Sequence, residues 1–310
     1  MEIMVTGAAG FIGRNLVPIL SEKYDRIYAI DNLNSLLYSS QIKKNNFKHI
    51  AGIKNVQCIE DDTNKIKRKG ILKNIECIIN LAALPGQSLS WENTEQYIKN
   101  NTQNVNNLIR EFCMEEGAYF LQASTSSVYG KVAIGGNNAI LKPNNPYGVT
   151  KLAAENLIEA YAQNYEFNYS ILRLFSVYGP HQRPDMGVYK FLNAIMKGLD
   201  VTIYGDGSQS RSLTYVVDVV TSIMKTVELK PSKEILDISG DKVMNVNEIV
   251  SICEKVIGNK ANIKFVKTPA GDQEKTIGNF GYAKKIIGVE KYTAIEFGIH
   301  QQFKQMLEIL

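Results

Sequence analysis

Ile3-Met4-Val5-Thr6-Gly7-Ala8-Ala9-Gly10-Phe11-Ile12-Gly13 reads as a short apolar strand, a glycine turn and the opening of a helix. Apolar residues at helical spacing continue from Phe11 to Leu20. The pattern then repeats along the chain. A strand at 26–30 ends at Asp31, and one at 56–59 runs into Asp61-Asp62. A strand at 77–81 ends at Ala82-Ala83, one at 119–123 at Ser124-Thr125, and one at 169–174 at Phe175-Ser176. Helical stretches lie between them, notably 94–115 and 148–164. Short buried strands alternating with helices predict an α/β fold with a doubly wound parallel sheet. Ligands bind such sheets beyond the carboxyl ends of the strands, where the glycine and polar clusters fall here.

The 310 residues divide, on this pattern, into a dinucleotide-binding domain at 1–180 and a smaller mixed α/β lobe at 181–310 that holds substrate. A segment near 212–228 reads as a helix returning to the first domain. Asn245-Val246-Asn247-Glu248 has the pattern of a capping box opening a further helix. Hydrophobic residues make up 45% and charged residues 21%, which excludes a disordered chain. The net charge of +4 comes from 35 basic and 31 acidic residues and gives no nucleic-acid footprint; Lys65-Ile66-Lys67-Arg68-Lys69 reads as a solvated turn. No apolar run reaches the ~18 residues of a membrane span, and the amino terminus has no secretory pattern. Cys58, Cys77, Cys113 and Cys253 are far apart, and with three histidines no metal site is expected. Reduced thiols point to the cytoplasm.

Gly7, Gly10 and Gly13 let the backbone approach a pyrophosphate at a helix N-terminus, although a packed turn would use glycines too. Asp31, ending the next strand, can accept hydrogen bonds from both ribose hydroxyls and would repel a 2′-phosphate. Its neighbours Asn32, Asn34 and Ser35 include no cation, so NAD is expected rather than NADP. Tyr147 and Lys151 are four residues apart, on one face of a helix that Pro146 suits at its start. The ammonium and an oxidised nicotinamide would both lower the phenol's pKa, so that it takes a proton from a sugar hydroxyl. A hydroxyl from Ser124-Thr125-Ser126-Ser127 can bond the same oxygen.

These stretches, with Asn80–Gly86, Asn145–Lys151, Leu172–Met186 and Tyr204–Val220, come in an order that resembles the extended short-chain dehydrogenases/reductases. Within them the chain looks like the NAD-dependent nucleotide-sugar epimerase/dehydratase family, and its UDP-glucuronate 4-epimerases above all. The resemblance implies a Rossmann fold and catalytic Thr125, Tyr147 and Lys151. It implies an NAD site of Gly7, Gly10, Phe11, Ile12, Gly13, Asp31, Asn32, Asn34, Ser35, Asp62, Thr63, Leu81, Ala82, Ala83, Asn101, Tyr147 and Lys151. It implies a UDP-sugar site of Pro85, Gly86, Thr125, Ser126, Ser127, Tyr147, Ser176, Arg183, Arg211 and Asp272. It also implies a homodimer through the helices at 94–115 and 148–164.

The family's first step gives a 4-keto sugar. Similar dehydratases carry Asp-Glu after the threonine, and similar decarboxylases a glutamate before Val-Tyr-Gly; here both positions are serine, Ser126 and Ser127. C4 epimerisation remains. The Thr-Ser-Ser run, Ser176 and His181–Met186 resemble the uronate enzymes, in which neutral donors would hold a C5 carboxylate. Epimerases of UDP-glucose or its N-acetyl form are the alternative, and a dehydratase or decarboxylase is a more distant one. Ser212 stands where relatives have Asp. The Pro-Gly-Val-Arg loop of relatives here reads Pro85-Gly86-Gln87-Ser88.

Overall fold

A computed structural model describes residues 1–115, 117–136, 138–290 and 292–308. In chain order the first half comprises β1 (Glu2–Thr6), α1 (Phe11–Lys23), β2 (Arg26–Asp31), α2 (Ser40–Ala51), β3 (Val56–Glu60), β4 (Cys77–Asn80), α3 (Thr94–Ile98), α4 (Asn104–Phe112), β5 (Tyr119–Thr125), β6 (Val132–Ile134), α5 (Pro146–Asn164) and β7 (Tyr169–Leu174). The second half comprises β8 (Val177–Tyr178), α6 (Gly187–Met196), β9 (Asp200–Tyr204), β10 (Ser210–Ser212), β11 (Thr214–Tyr215), α7 (Val216–Leu229), β12 (Glu234–Ile238), β13 (Val243–Asn245), α8 (Val246–Ile257), β14 (Asn262–Val266), β15 (Lys275–Ile277), α9 (Phe280–Ile287) and α10 (Ile295–Leu307).

Seven strands form one parallel sheet in the order β12-β7-β5-β4-β1-β2-β3, the doubly wound arrangement expected. The order reverses at β1, with β2 on one side and β4 on the other. Two apolar layers cover the sheet. One face packs Ile3, Val5, Leu16, Leu20, Ile27 and Ile79 beneath α1 and α7. The other packs Met4, Tyr28, Ile78, Leu108, Ile109, Phe120 and Ile158 beneath α4 and α5. Residues 3, 5 and 4 therefore split between the faces, as strand periodicity requires. The seventh strand, β12, lies beyond the expected boundary at 180. The segment returning to the first domain is thus not a helix alone, for β12 follows α7 and pairs with β7 from Glu234↔Ser170 to Ile238↔Leu174. Three short strands of the second lobe and β6 from the first half form another sheet, in the order β13-β10-β15-β6. The capping box forms at Asn245 and Glu248 as read from sequence.

The helix expected over 94–115 is not continuous. Residues Lys99–Gln103 form a π-helical turn between α3 and α4. The Asn101 side chain there accepts the Leu84 N–H (2.7 Å) and donates to the Leu84 carbonyl (3.0 Å) and to Thr150 Oγ1 (3.1 Å). π-turns of this kind recur at functional sites.

Helix α5 opens with Asn145 capping the Gly148 N–H (2.8 Å) and Pro146 in its first turn. One turn below Lys151, Glu155 is 1% exposed and ion-paired with Arg173 of β7, itself 6% exposed (2.6 Å). Glu155 also accepts from Ser124, and Arg173 donates to Tyr129 Oη (2.9 Å), which donates to Asp237 of β12 (2.6 Å). The network ties α5 to β5, β7 and β12. Removing one partner strands a buried charge. Arg173→Met should therefore lower unfolding stability by about 3–5 kcal/mol, and adding Glu155→Leu should restore most of it. Urea unfolding of the single and double variants checks this; a double variant as unstable as the worse single would show that the charges do not answer one another.

Candidate active site

The carboxyl ends of β1, β2, β4, β5 and β7 open into one cleft of about 780 Å³ that extends to the second lobe. At its floor, Gly7 has φ +69°, and a Cβ there would lie 2.7 Å from the Ala82 nitrogen and the Leu81 carbonyl carbon. Only glycine lets β1 turn this close to the end of β4, so the turn is built for close backbone approach. Asp31 is buried behind it, accepting N–H groups from Leu33 (2.8 Å) and Ala9 (3.0 Å). Burial pushes its carboxyl up, while the Lys43 charge and these two amides pull it down. Below the turn, Thr6 Oγ1 bonds Asn80, whose amide donates to Gln122 Oε1 (2.8 Å), a buried polar ladder linking β1, β4 and β5.

Of the expected cofactor residues, Gly7, Gly10, Phe11, Ile12, Gly13, Asp31, Asn32, Asn34, Thr63, Leu81, Ala82, Ala83, Tyr147 and Lys151 line this cleft. Ser35, Asp62 and Asn101 do not. Ser35 is exposed. Asp62 closes its own turn, accepting from the Asn64 N–H (3.0 Å), while Asp61 faces the cleft instead. Asn101 is spent on Leu84, as above. Lys43 lies twelve residues from Asp31 in sequence. Helix α2 brings it to the cleft beside Asp31, 5.2 Å above the Tyr38 ring.

Every expected sugar-site residue reaches the cleft: Pro85, Gly86, Thr125, Ser126, Ser127, Tyr147, Ser176, Arg183, Arg211 and Asp272. Tyr97 holds the Pro85-Gly86 turn, donating to both carbonyls (2.8 and 3.0 Å), and meets the Tyr147 ring edge-on at 6.2 Å. Arg183 makes a bidentate pair with Asp185 (3.0 and 2.8 Å). Arg211 of β10 pairs with Asp272 (3.2 Å). Tyr38 and Gln273, which carry no signal in the sequence, also line the cleft, as does Gln87 of the altered Pro85–Ser88 loop.

Tyr147 and Lys151 lie one turn apart on α5 and both line the cleft. Lys151 donates to the Ala123 carbonyl at 2.6 Å. Burial pushes Tyr147 above the usual tyrosine range, and the Thr125 hydroxyl and the Arg183 charge pull it back. Burial also brings Lys151 down to about 8, against the raising charge of Glu155. A proton-accepting phenol, a hydroxyl partner and a buried ammonium beside a dinucleotide-shaped turn constitute the machinery of reversible alcohol oxidation. The residues fit NAD: the Gly7 cradle suits a pyrophosphate, and the Asp31 oxygens retain lone pairs for ribose hydroxyls. No cluster of metal-binding side chains exists among the described residues, and no helix among them is long and apolar enough to cross a membrane.

Comparison with known proteins agrees with this chemistry. The chain is 36% identical over 306 residues to a Bacillus subtilis protein named uncharacterized UDP-glucose epimerase YtcB, covering 96% of each chain. It is 32% identical to a UDP-glucuronate 4-epimerase of Thermodesulfobacterium geofontis, covering 96% of this chain and 93% of that one. The structure matches the Bacillus cereus UDP-glucuronic acid 4-epimerase crystallised with UDP-glucuronic acid and NAD, with a TM-score of 0.95 over 100% of both chains at 30% identity. A model of the NAD dependent epimerase/dehydratase family matches residues 3–239, and the chain belongs to that family.

Proposed function

We propose that the protein interconverts UDP-glucuronate and UDP-galacturonate by C4 epimerisation through a transient 4-keto sugar. The observation that carries this reading is the chemistry of the cleft beside Tyr147: Ser126, Ser127 and Ser176 supply neutral hydroxyls and no free carboxylic acid. The acids that line the cleft each have partners of their own. Asp185 is held by Arg183, Asp272 by Arg211, and Asp31 by backbone amides, while Asp61 accepts the Asp62 N–H. Elimination of water or protonation of an enolate needs an acid at the sugar, and beside Tyr147 positions 126 and 127 carry hydroxyls instead.

When bound, NAD supplies the acceptor for the C4 hydride and returns it. Tyr147 takes the C4 hydroxyl proton and gives it back once the keto sugar has turned over. Thr125 shares that proton path, and Lys151 contributes positive charge beneath it. A 4-keto uronate is a β-keto acid and loses carbon dioxide readily. The serine hydroxyls would fix its carboxylate without protonating the incipient enolate. Arg211 and Asp272 face the nucleotide end. The similarity to a protein named for UDP-glucose favours a neutral-hexose reading, which the first assay below separates.

The proposal extends to assembly and location. Trp91, Ile98 of α3 and Val149 of α5 are exposed large apolar side chains beside the helices expected to pair, and a homodimer would cover them. The four cysteines are free, which fits a cytoplasmic protein. Gel filtration with light scattering should give twice the 34.7 kDa of one chain, and a Val149→Glu variant should run as a monomer; a wild-type monomer refutes the pairing.

Proton NMR should show UDP-glucuronate converted to UDP-galacturonate faster than UDP-glucose to UDP-galactose; the reverse order selects the hexose reading. Tyr147→Phe should lower kcat by about 10³-fold while bound NAD is unchanged. Lys151 is a cation below about 8, rather than up to the usual 10.5, and loses its charge as pH rises through that value. kcat/KM should therefore fall above pH 8, and Lys151→Arg, which stays charged, should flatten that limb. An unaltered limb in Lys151→Arg assigns it to another group.

A further inference from the structure

Gln87 of the loop Pro85-Gly86-Gln87-Ser88 and Gln273, which follows Asp272, are far apart in sequence and meet in the cleft beside Ser127. Gln273 is 4% exposed, and its amide nitrogen donates to the carbonyls of Gly130 (2.8 Å) and Ser126 (3.3 Å). A backbone carbonyl can only accept, so these two contacts fix which end of the Gln273 amide is nitrogen. Its oxygen then faces Gln87 and accepts from the Gln87 amide nitrogen at 3.0 Å. That fixes the Gln87 amide in turn, and its second N–H reaches Ser127 Oγ at 3.1 Å. Ser127 is thereby an acceptor on the side facing Gln87. Its hydroxyl proton has no protein acceptor among the described residues, and Ser127 lines the cleft.

From this we infer that Gln87, held by Gln273, is a specificity-determining positioning residue: it sets Ser127 as a hydrogen-bond donor into the cleft and so favours a sugar bearing a carboxylate. Two main-chain carbonyls impose the direction, and the two amides transmit it. A carboxylate only accepts hydrogen bonds, so a fixed donor suits it, whereas a hydroxymethyl group bonds a serine of either orientation equally well. The inference deepens the uronate reading and rests on it. It gives the departure at Gln87, where the family loop carries valine, a physical role.

The test uses NAD-loaded protein with Tyr147→Phe, so that binding is read without turnover, and titrates UDP-glucuronate and UDP-glucose by calorimetry. The quantity followed is the ratio of the two affinities. Gln87→Met should lower the preference for UDP-glucuronate about tenfold, the scale of one hydrogen bond to a charged group. In a Ser127→Ala background the same substitution should change the ratio by less than about twofold, because the two residues act as one unit. Gln87→Asn, too short to bridge Gln273 and Ser127, gives the same readout should Gln87→Met fail to fold. An unchanged ratio, or an equal loss with and without Ser127, overturns the inference. A parent with no preference for UDP-glucuronate refutes the uronate reading itself, and the relay with it; a parent that prefers it while Gln87→Met does too refutes the relay alone.

Discussion

The seating of α5 on the carboxyl end of β5 is the constraint on which the site depends. Lys151 bonds the Ala123 carbonyl, and Glu155 bonds Ser124 while neutralising Arg173. At the helix start, a Cβ on Gly148 would lie 2.6 Å from the Ser127 carbonyl oxygen, so glycine alone lets the helix come this near. From the other side, Thr102 and Asn101 grip Thr150. Tyr147 is carried on the first turn of this helix, so its position is set by a rigid element and not by a loop. The hydroxyl run 124–127 is set by the strand end beneath the same helix. Loosening the Glu155–Arg173 pair would move the phenol and its Thr125 partner relative to one another, even though neither ion touches substrate.

Much of this was legible in the residues. The strand–glycine–helix opening, Asp31 at the end of β2 and the Tyr147–Lys151 spacing each have a local signature, and each sits where its signature implies. What escaped depends on tertiary approach. β12 joins the sheet after the helix α7, more than fifty residues beyond its partner β7, and no local pattern states which strand a given segment will pair with. Lys43 reaches Asp31 because α2 folds back over the cleft. The π-turn at Lys99–Gln103 is invisible to periodicity because the apolar stripe continues on both sides of it. Asp62 and Asn101 carry residue types that bind cofactors, yet backbone groups beside them claim those side chains first.

The structure adds a second cation to the chemical reading. Lys151 is anchored at the Ala123 carbonyl, and the Arg183 charge also lowers the phenol's pKa against its burial. Lys151, brought to about 8, is close enough to neutrality for a change in its surroundings to shift its charge. Arg183 couples the phenol to Tyr38 and Asp185, and through Tyr38 to Lys43 above the ribose side of the cleft.

The account predicts an alcohol that is oxidised and then reduced from the opposite face without the hydrogen at C4 ever reaching water. Turnover of UDP-glucuronate carrying deuterium at C4, followed by NMR in ordinary water, measures this directly. The expected product is UDP-galacturonate that keeps its deuterium, with no carbon dioxide released. Protium at C4, or a UDP-pentose, would contradict it.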